Sequence, residues 1–188
     1  MHSSQQKLIV LLTILSLGSP LLASTGFTAQ ADLQCQLSAT QPQTDSEPST
    51  DIRIALHNIS DRALTVLWPA DPLFLLRLGT LSFAIEDETG MSYRYMPDPG
   101  PYIPPLRHDF VSLPPGRSID NHLSVCRFRD QHAHDSPCSK AGHYTIRATY
   151  VNLRAENWDD EAKEDVITPD GWTGQVSCSP ILMDISQK

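Results

Sequence analysis

Residues 142–150 read Gly-His-Tyr-Thr-Ile-Arg-Ala-Thr-Tyr, and Tyr144, Ile146, Ala148 and Tyr150 alternate with Thr145, Arg147 and Thr149. A period of two puts the first set on one side of an extended chain and the second on the other, as in a half-buried β-strand. The pattern recurs on both sides of this stretch. Ile52, Ile54 and Leu56 alternate with Arg53, Ala55 and His57, and Leu81, Phe83 and Ile85 alternate with Ser82, Ala84 and Glu86. Met91, Tyr93 and Tyr95 continue it after the turn Asp87-Glu88-Thr89-Gly90. Asn58-Ile59-Ser60-Asp61 predicts a turn that makes a hairpin of the Ile52 strand and the Leu64-Val66-Trp68 strand. Leu113-Pro114-Pro115-Gly116-Arg117 predicts another between Phe110-Val111 and Ile119.

Helical periodicity is weak by comparison. Beyond the N-terminal segment no apolar 3.6-residue period lasts three turns, and the best helical stretch is Asp159 to Val166, short and mostly polar. Fifteen prolines, paired at 104–105 and 114–115, disfavour helices and suit the connections of an antiparallel sandwich. Five of them fall between Pro97 and Pro105, which predicts an extended, polyproline-like loop. Residues 41–50 are polar enough to predict a mobile loop, and there is no internal repeat. The expectation is all-β, an antiparallel β-sandwich of about seven to nine strands.

The N-terminus reads as an export signal. Lys7 precedes the apolar run Leu8 to Leu17, and Ala29-Gln30-Ala31 offers small residues at the positions a signal peptidase recognises. Cleavage there gives a signal peptide over residues 1–31 and one domain over 32–188; cleavage nearer Ala23 to Gly26 is the alternative. The apolar run is shorter than the ~20 residues of a spanning helix, so no membrane insertion is expected after cleavage. Gln34 stands before Cys35 where a lipoprotein signal carries a small residue. The expected location is secreted or periplasmic. The chain has 14 Lys and Arg against 22 Asp and Glu, a formal charge of −8, and loss of Lys7 with the signal leaves 13 against 22. Such a surface repels nucleic acid and anionic membranes.

Ala141-Gly142-His143-Tyr144-Thr145-Ile146 resembles the tyrosine corner of immunoglobulin-like sandwiches, with Lys140 where those domains carry Asp and Ile146 where immunoglobulins carry a cysteine. Together with 56–61, 113–116 and Trp172-Thr173-Gly174-Gln175-Val176-Ser177, it resembles secreted bacterial Ig-like β-sandwich proteins. The likeness extends more weakly to proteinase-inhibitor-like and metallopeptidase-associated sandwich domains. It implies an Ig-like sandwich over most of residues 51–185, with the Tyr144 hydroxyl bonded back to the preceding backbone.

Export changes how the four cysteines are read. Cys35, Cys126, Cys138 and Cys178 allow three pairings in an oxidising compartment, of which Cys126 with Cys138 and Cys35 with Cys178 is favoured. The competing chemistry is a metal centre in the same loop, where His132 and His134, at i and i+2, would join His143 and Cys138 around zinc or copper, with His122 nearby. The spacing matches no zinc finger and no His-Glu-x-x-His helix, and a disulfide would consume the thiolates. The acidic residues Glu156, Asp159, Asp160, Glu161, Glu164, Asp165 and Asp170 lack the Asp-x-Asp-x-Asp-Gly spacing of a calcium loop. No cofactor is therefore expected.

The chain has no Gly-x-Ser-x-Gly elbow and no phosphate-cradling glycine loop, and His57 would need a remote Asp and Ser to form a triad. An enzyme is not expected. Tyr102, in the proline loop, is the aromatic expected to stay exposed for a partner. Trp158 is expected to pack back onto the sandwich but is retained as a contact candidate, Trp172 is either a sugar-stacking platform or a core anchor, and Trp68 leans to the core. Asn58-Ile59-Ser60 would be an accessible glycan acceptor if export were eukaryotic. The expected function is non-catalytic protein–protein recognition through the loops Pro97–Asp109 and Glu156–Trp172. The alternatives are the inhibitor or protease-associated role that the resemblance implies, and metal capture by the His132/His134 loop.

Overall fold

The alternation at 142–150 becomes strand β9 (Gly142–Asn152), the longest strand among the described residues, in a computed structural model that describes residues 32–39, 50–97, 101–132 and 134–186. The proposed signal segment and most of the 41–50 loop lie outside the described residues. Strand β4 (Leu81–Asp87) runs antiparallel along one edge of β9, from Leu81 opposite Tyr150 to Asp87 opposite Tyr144. The other edge takes β12 (Gly174–Ser177) and β13 (Ile181–Ile185) end to end. Beyond β4 lie β5 (Ser92–Tyr95) and the two-residue β8 (Phe128–Arg129). The opposing layer is the sheet β1 (Leu33–Ala39), β2 (Asp51–Asn58) and β7 (Ser118–Ser124), in that order. Ile52, Ile54 and Leu56 of one layer and Tyr144, Ile146, Ala148 and Tyr150 of the other fall in a single buried cluster, the core of an all-β sandwich.

Asp87 and Tyr144 lock one end of the second layer. Asp87 Oδ1 accepts from the Thr89 amide and hydroxyl and from the Met91 amide, which shapes the β4–β5 turn. Its Oδ2 accepts from Lys140 Nζ at 3.2 Å. The Tyr144 hydroxyl donates to the Lys140 carbonyl at 2.8 Å, the backward bond expected of a tyrosine corner.

The expected hairpin at Asn58 is not one. After β2 the chain passes into β3 (Leu64–Leu67), which pairs with β6 (Phe110–Leu113), whereas β2 pairs with β1 and β7. Segments 51–67 and 110–124 thus form one long two-stranded ribbon that bends between sheets. Asn58 makes the bend possible. It is fully buried, its Nδ2 donates to the Leu113 and Arg62 carbonyls, and its Oδ1 accepts from the Ser60 amide and hydroxyl. Its backbone accepts from Gly116 N and donates to Arg117 O, joining it to the 113–117 corner. These breaks, a two-residue β8 and an extra hairpin raise the count to thirteen strands among the described residues, above the seven to nine expected.

Two local expectations are also corrected. Residues 159–166 are not helical: β10 (Glu156–Asp159) and β11 (Glu164–Ile167) make a hairpin instead. The helix lies elsewhere, at α1 (Pro72–Arg77), where Asp71 accepts from the Leu73 amide, Pro72 occupies the first turn and Leu75 is buried. Six residues are too few to display a period. No helix among the described residues is long and apolar enough to cross a membrane.

Candidate protein-binding surface

The two loops singled out from the sequence meet. In the first, Leu106 N donates to Asp109 Oδ2 and Asp109 N to Leu106 O, which folds residues 107–109 into a single tight turn. Residues 101–105 approach it without regular structure and hold the Tyr102 ring 76% exposed. In the second, Asp159 Oδ1 accepts from the Glu161 and Ala162 amides, and Lys163, at φ 58°, closes the four-residue hairpin loop. Those two amide bonds, with Arg107 nearby, hold the Asp159 carboxyl below its usual value. Trp158 N donates to Pro105 O at 2.8 Å, and Leu106 and Trp158 form a parallel bridge, so the loops are joined backbone to backbone.

The hairpin is braced from below. Thr168 N donates to Ala155 O, and Thr168 Oγ1 donates to the buried Asn157 Oδ1. Gly171 passes so close to the strand entrance that a Cβ there would lie 2.2 Å from Ala155 Cβ. Thr65 of β3 accepts from Trp172 N and donates to Asp170 O, which ties the hairpin's return to the sandwich.

A groove of about 540 Å³ runs between the joined loops, walled by Tyr102, Ile103, Pro104, Leu106 and Trp158, with Asp160 and Asp165 at its rim. Trp158 is half-buried, and its Nε1 donates to Asp160 Oδ1 at 3.1 Å, fixing the indole. Tyr102 also lines a second groove with Leu153 and Glu156, and Ile167 borders a third with Trp158. Among the described residues, Tyr102, Ile103, Leu153 and Ile167 are four of the eight large apolar residues left exposed, so this end of the sandwich concentrates apolar surface.

The remaining candidates separate from this surface or from one another. Trp172 is buried and stacks on Tyr150 at 5.6 Å, so it is a core anchor and not a sugar platform. Trp68 is buried against the same tyrosine, whose hydroxyl donates to Leu67 O. Cys35 pairs with Cys178, linking the two layers, and Cys126 pairs with Cys138. His132 and His134 stack on each other in the Cys126–Cys138 loop, above an Asp130 carboxylate that accepts both their amides, the His134 amide first in lowering its pKa. His143 is elsewhere, paired with Asp184 of β13, whose hydrogen bond raises the imidazole pKa. The expected three-histidine centre is therefore not assembled: the sulfur of Cys138 is in a disulfide and supplies no thiolate, and among the described residues no three His, Cys, Asp or Glu side chains are grouped to hold a metal. That applies equally to the acidic residues of 156–170.

His57 hydrogen-bonds Ser118 at 2.9 Å across β2 and β7, while the nearby Asp120 is engaged by Arg53 and His122. Asn58 is inaccessible as a glycan acceptor, because its amide nitrogen is spent inside the corner. Sequence reasoning missed Ile103, Asp160 and Asp165 as groove residues. The hairpin register, with Trp158 opposite Asp165, is the signal that points to Asp165; Ile103 and Asp160 carry no such signal. Compared with known proteins, the chain matches no family model and no curated protein.

Proposed function

We propose that this protein is an exported, disulfide-stapled, Ig-like β-sandwich module that performs no catalysis and binds another protein through the surface built by residues 101–109 and the β10–β11 hairpin. The observation that carries this reading is the meeting of those two loops around Tyr102 and Trp158 on a rigid, backbone-bonded platform. Exposed aromatic and aliphatic groups held by a preordered scaffold bind at little cost in conformational entropy. Two disulfides fit an oxidising compartment, in keeping with the signal-like segment at residues 1–31.

The test places a photo-reactive benzoylphenylalanine at position 102 of the full-length chain in its own cells, with Leu182 as control. Leu182 is 77% exposed on β13, which pairs with the other end of β9. A discrete covalent adduct with one protein from position 102, and none from 182, is the expected result. No adduct at 102, or the same adducts from both positions, sinks the docking surface.

A further inference from the structure

Extending the docking reading, on which it rests, we propose that the groove between Tyr102 and the β10–β11 hairpin seats an arginine side chain of the partner protein. Trp158 and Asp165 are directly opposed in the hairpin register, so their side chains leave the same face. Asp160 holds the indole through Trp158 Nε1, which places a second carboxylate beside the ring. An aromatic ring with two carboxylates beside it suits a planar guanidinium, which stacks on the ring while its N–H groups reach the acids. Ile103, Pro104 and Leu106 supply an apolar wall for the three methylenes of the stem.

The site's own charges leave room for that cation. Asp165 has no ion partner among the described residues. Lys163 stands 3.9 Å from Asp160 and Arg154 3.8 Å from Glu156, and both cations are more than 70% exposed, so these pairs hold weakly and yield to a better-placed group. Glu161 and Glu164 add to the negative rim, and the chain's −8 charge favours approach of a basic segment. A lysine would reach the acids but forgo the flat stacking, which is why arginine fits this groove better.

The probe is the peptide acetyl-Leu-Arg-Leu-amide, titrated into the full chain beside its citrulline counterpart, which keeps the shape and loses the charge. The indole N–H resonance of Trp158, assigned by its loss in Trp158→Phe, reports binding. Saturable shifts with about fivefold tighter binding of the arginine peptide are expected. That preference should shrink as salt is raised and shrink likewise in Asp165→Asn, whose other resonances stay in place. Equal binding of both peptides, no saturable shift, or an Asp165→Asn protein that keeps the full preference overturns the arginine assignment. The cross-link from position 102 scores the docking surface separately: an adduct there together with indifference to arginine removes only the cation.

Discussion

Asp87 shows how one side chain sets the shape of a turn and its response to acid. Burial by itself would raise its carboxyl, but hydrogen bonds from the Thr89 hydroxyl, the Met91 amide, Lys140 and the Thr89 amide outweigh it and hold the pKa at about 2. The folded value lies below the unfolded one, so its stabilisation is complete above about pH 4 and lost as the pH falls toward about 2. In urea unfolding from pH 6 to pH 2, Asp87→Asn should be less stable near neutrality and lose the part of the acid slope between pH 4 and 2 that wild type shows. Identical slopes would assign that acid sensitivity to other carboxylates. Asn58 marks where reading from sequence stops at this scale. Asn-Ile-Ser-Asp is a turn signal, and a turn is there, but the signal cannot say whether the following strand returns beside its predecessor or leaves for another sheet. That depends on the carbonyls of Leu113 and Arg62 being in reach of one amide, a fact of tertiary structure.

At the scale of elements, strands with strict alternation were legible and short or polar elements were not. The apolar sets of β2, β4 and β9 were all readable because each strand covers one side of a buried core, which forces a period of two onto its sequence. Half of the β10–β11 hairpin's residues are acidic and it faces water on much of its surface, so no hydrophobic period marks it, and polar character alone imitates a helix. Its position is set by contacts underneath, chiefly the close approach at Gly171. An added methyl there meets Ala155 Cβ and, at 2.9 Å, the Thr168 carbonyl, both of which are rigid. Gly171→Ala should therefore cost about 2 kcal/mol or more in denaturant unfolding and raise amide exchange across 155–168. A variant as stable and as protected as wild type would show that the hairpin is not held from below. The two loops at 97–109 and 156–172 stand out by composition, since proline-rich and acid-rich segments do not build a core. Their meeting was beyond the sequence because it rests on Trp158 N reaching Pro105 O across about fifty residues of chain.

For the whole molecule, the two disulfides divide the work of stabilisation unequally. Cys126 and Cys138 are 12 residues apart and Cys35 and Cys178 are 143 apart, so in the chain-entropy account they contribute about 3 and about 5 kcal/mol by restricting the unfolded chain. The double variant Cys35→Ser/Cys178→Ser should accordingly unfold at a lower guanidinium concentration than Cys126→Ser/Cys138→Ser. The reverse order would mean that the short loop's native contacts, and not chain restriction, dominate. Because the long bridge joins the first described strand to the chain just past β12, it stabilises the sandwich by connecting its layers as well as its ends.

The same bridge bears on mechanical load. Tension entering before Cys35 and leaving after Cys178 passes through two sulfur atoms and bypasses the 142 residues between them, which would otherwise lengthen the chain by about 500 Å. Within that span neither the pairing of β4 nor the groove at Tyr102 is in the force path; what can be peeled is Leu33 and Gln34, ahead of Cys35, from β2 and β13, past Cys178, from β9. A chain stretched between two anchored points would thus keep the groove at Tyr102 intact at forces that unravel an unstapled sandwich, and would lose it only after reduction.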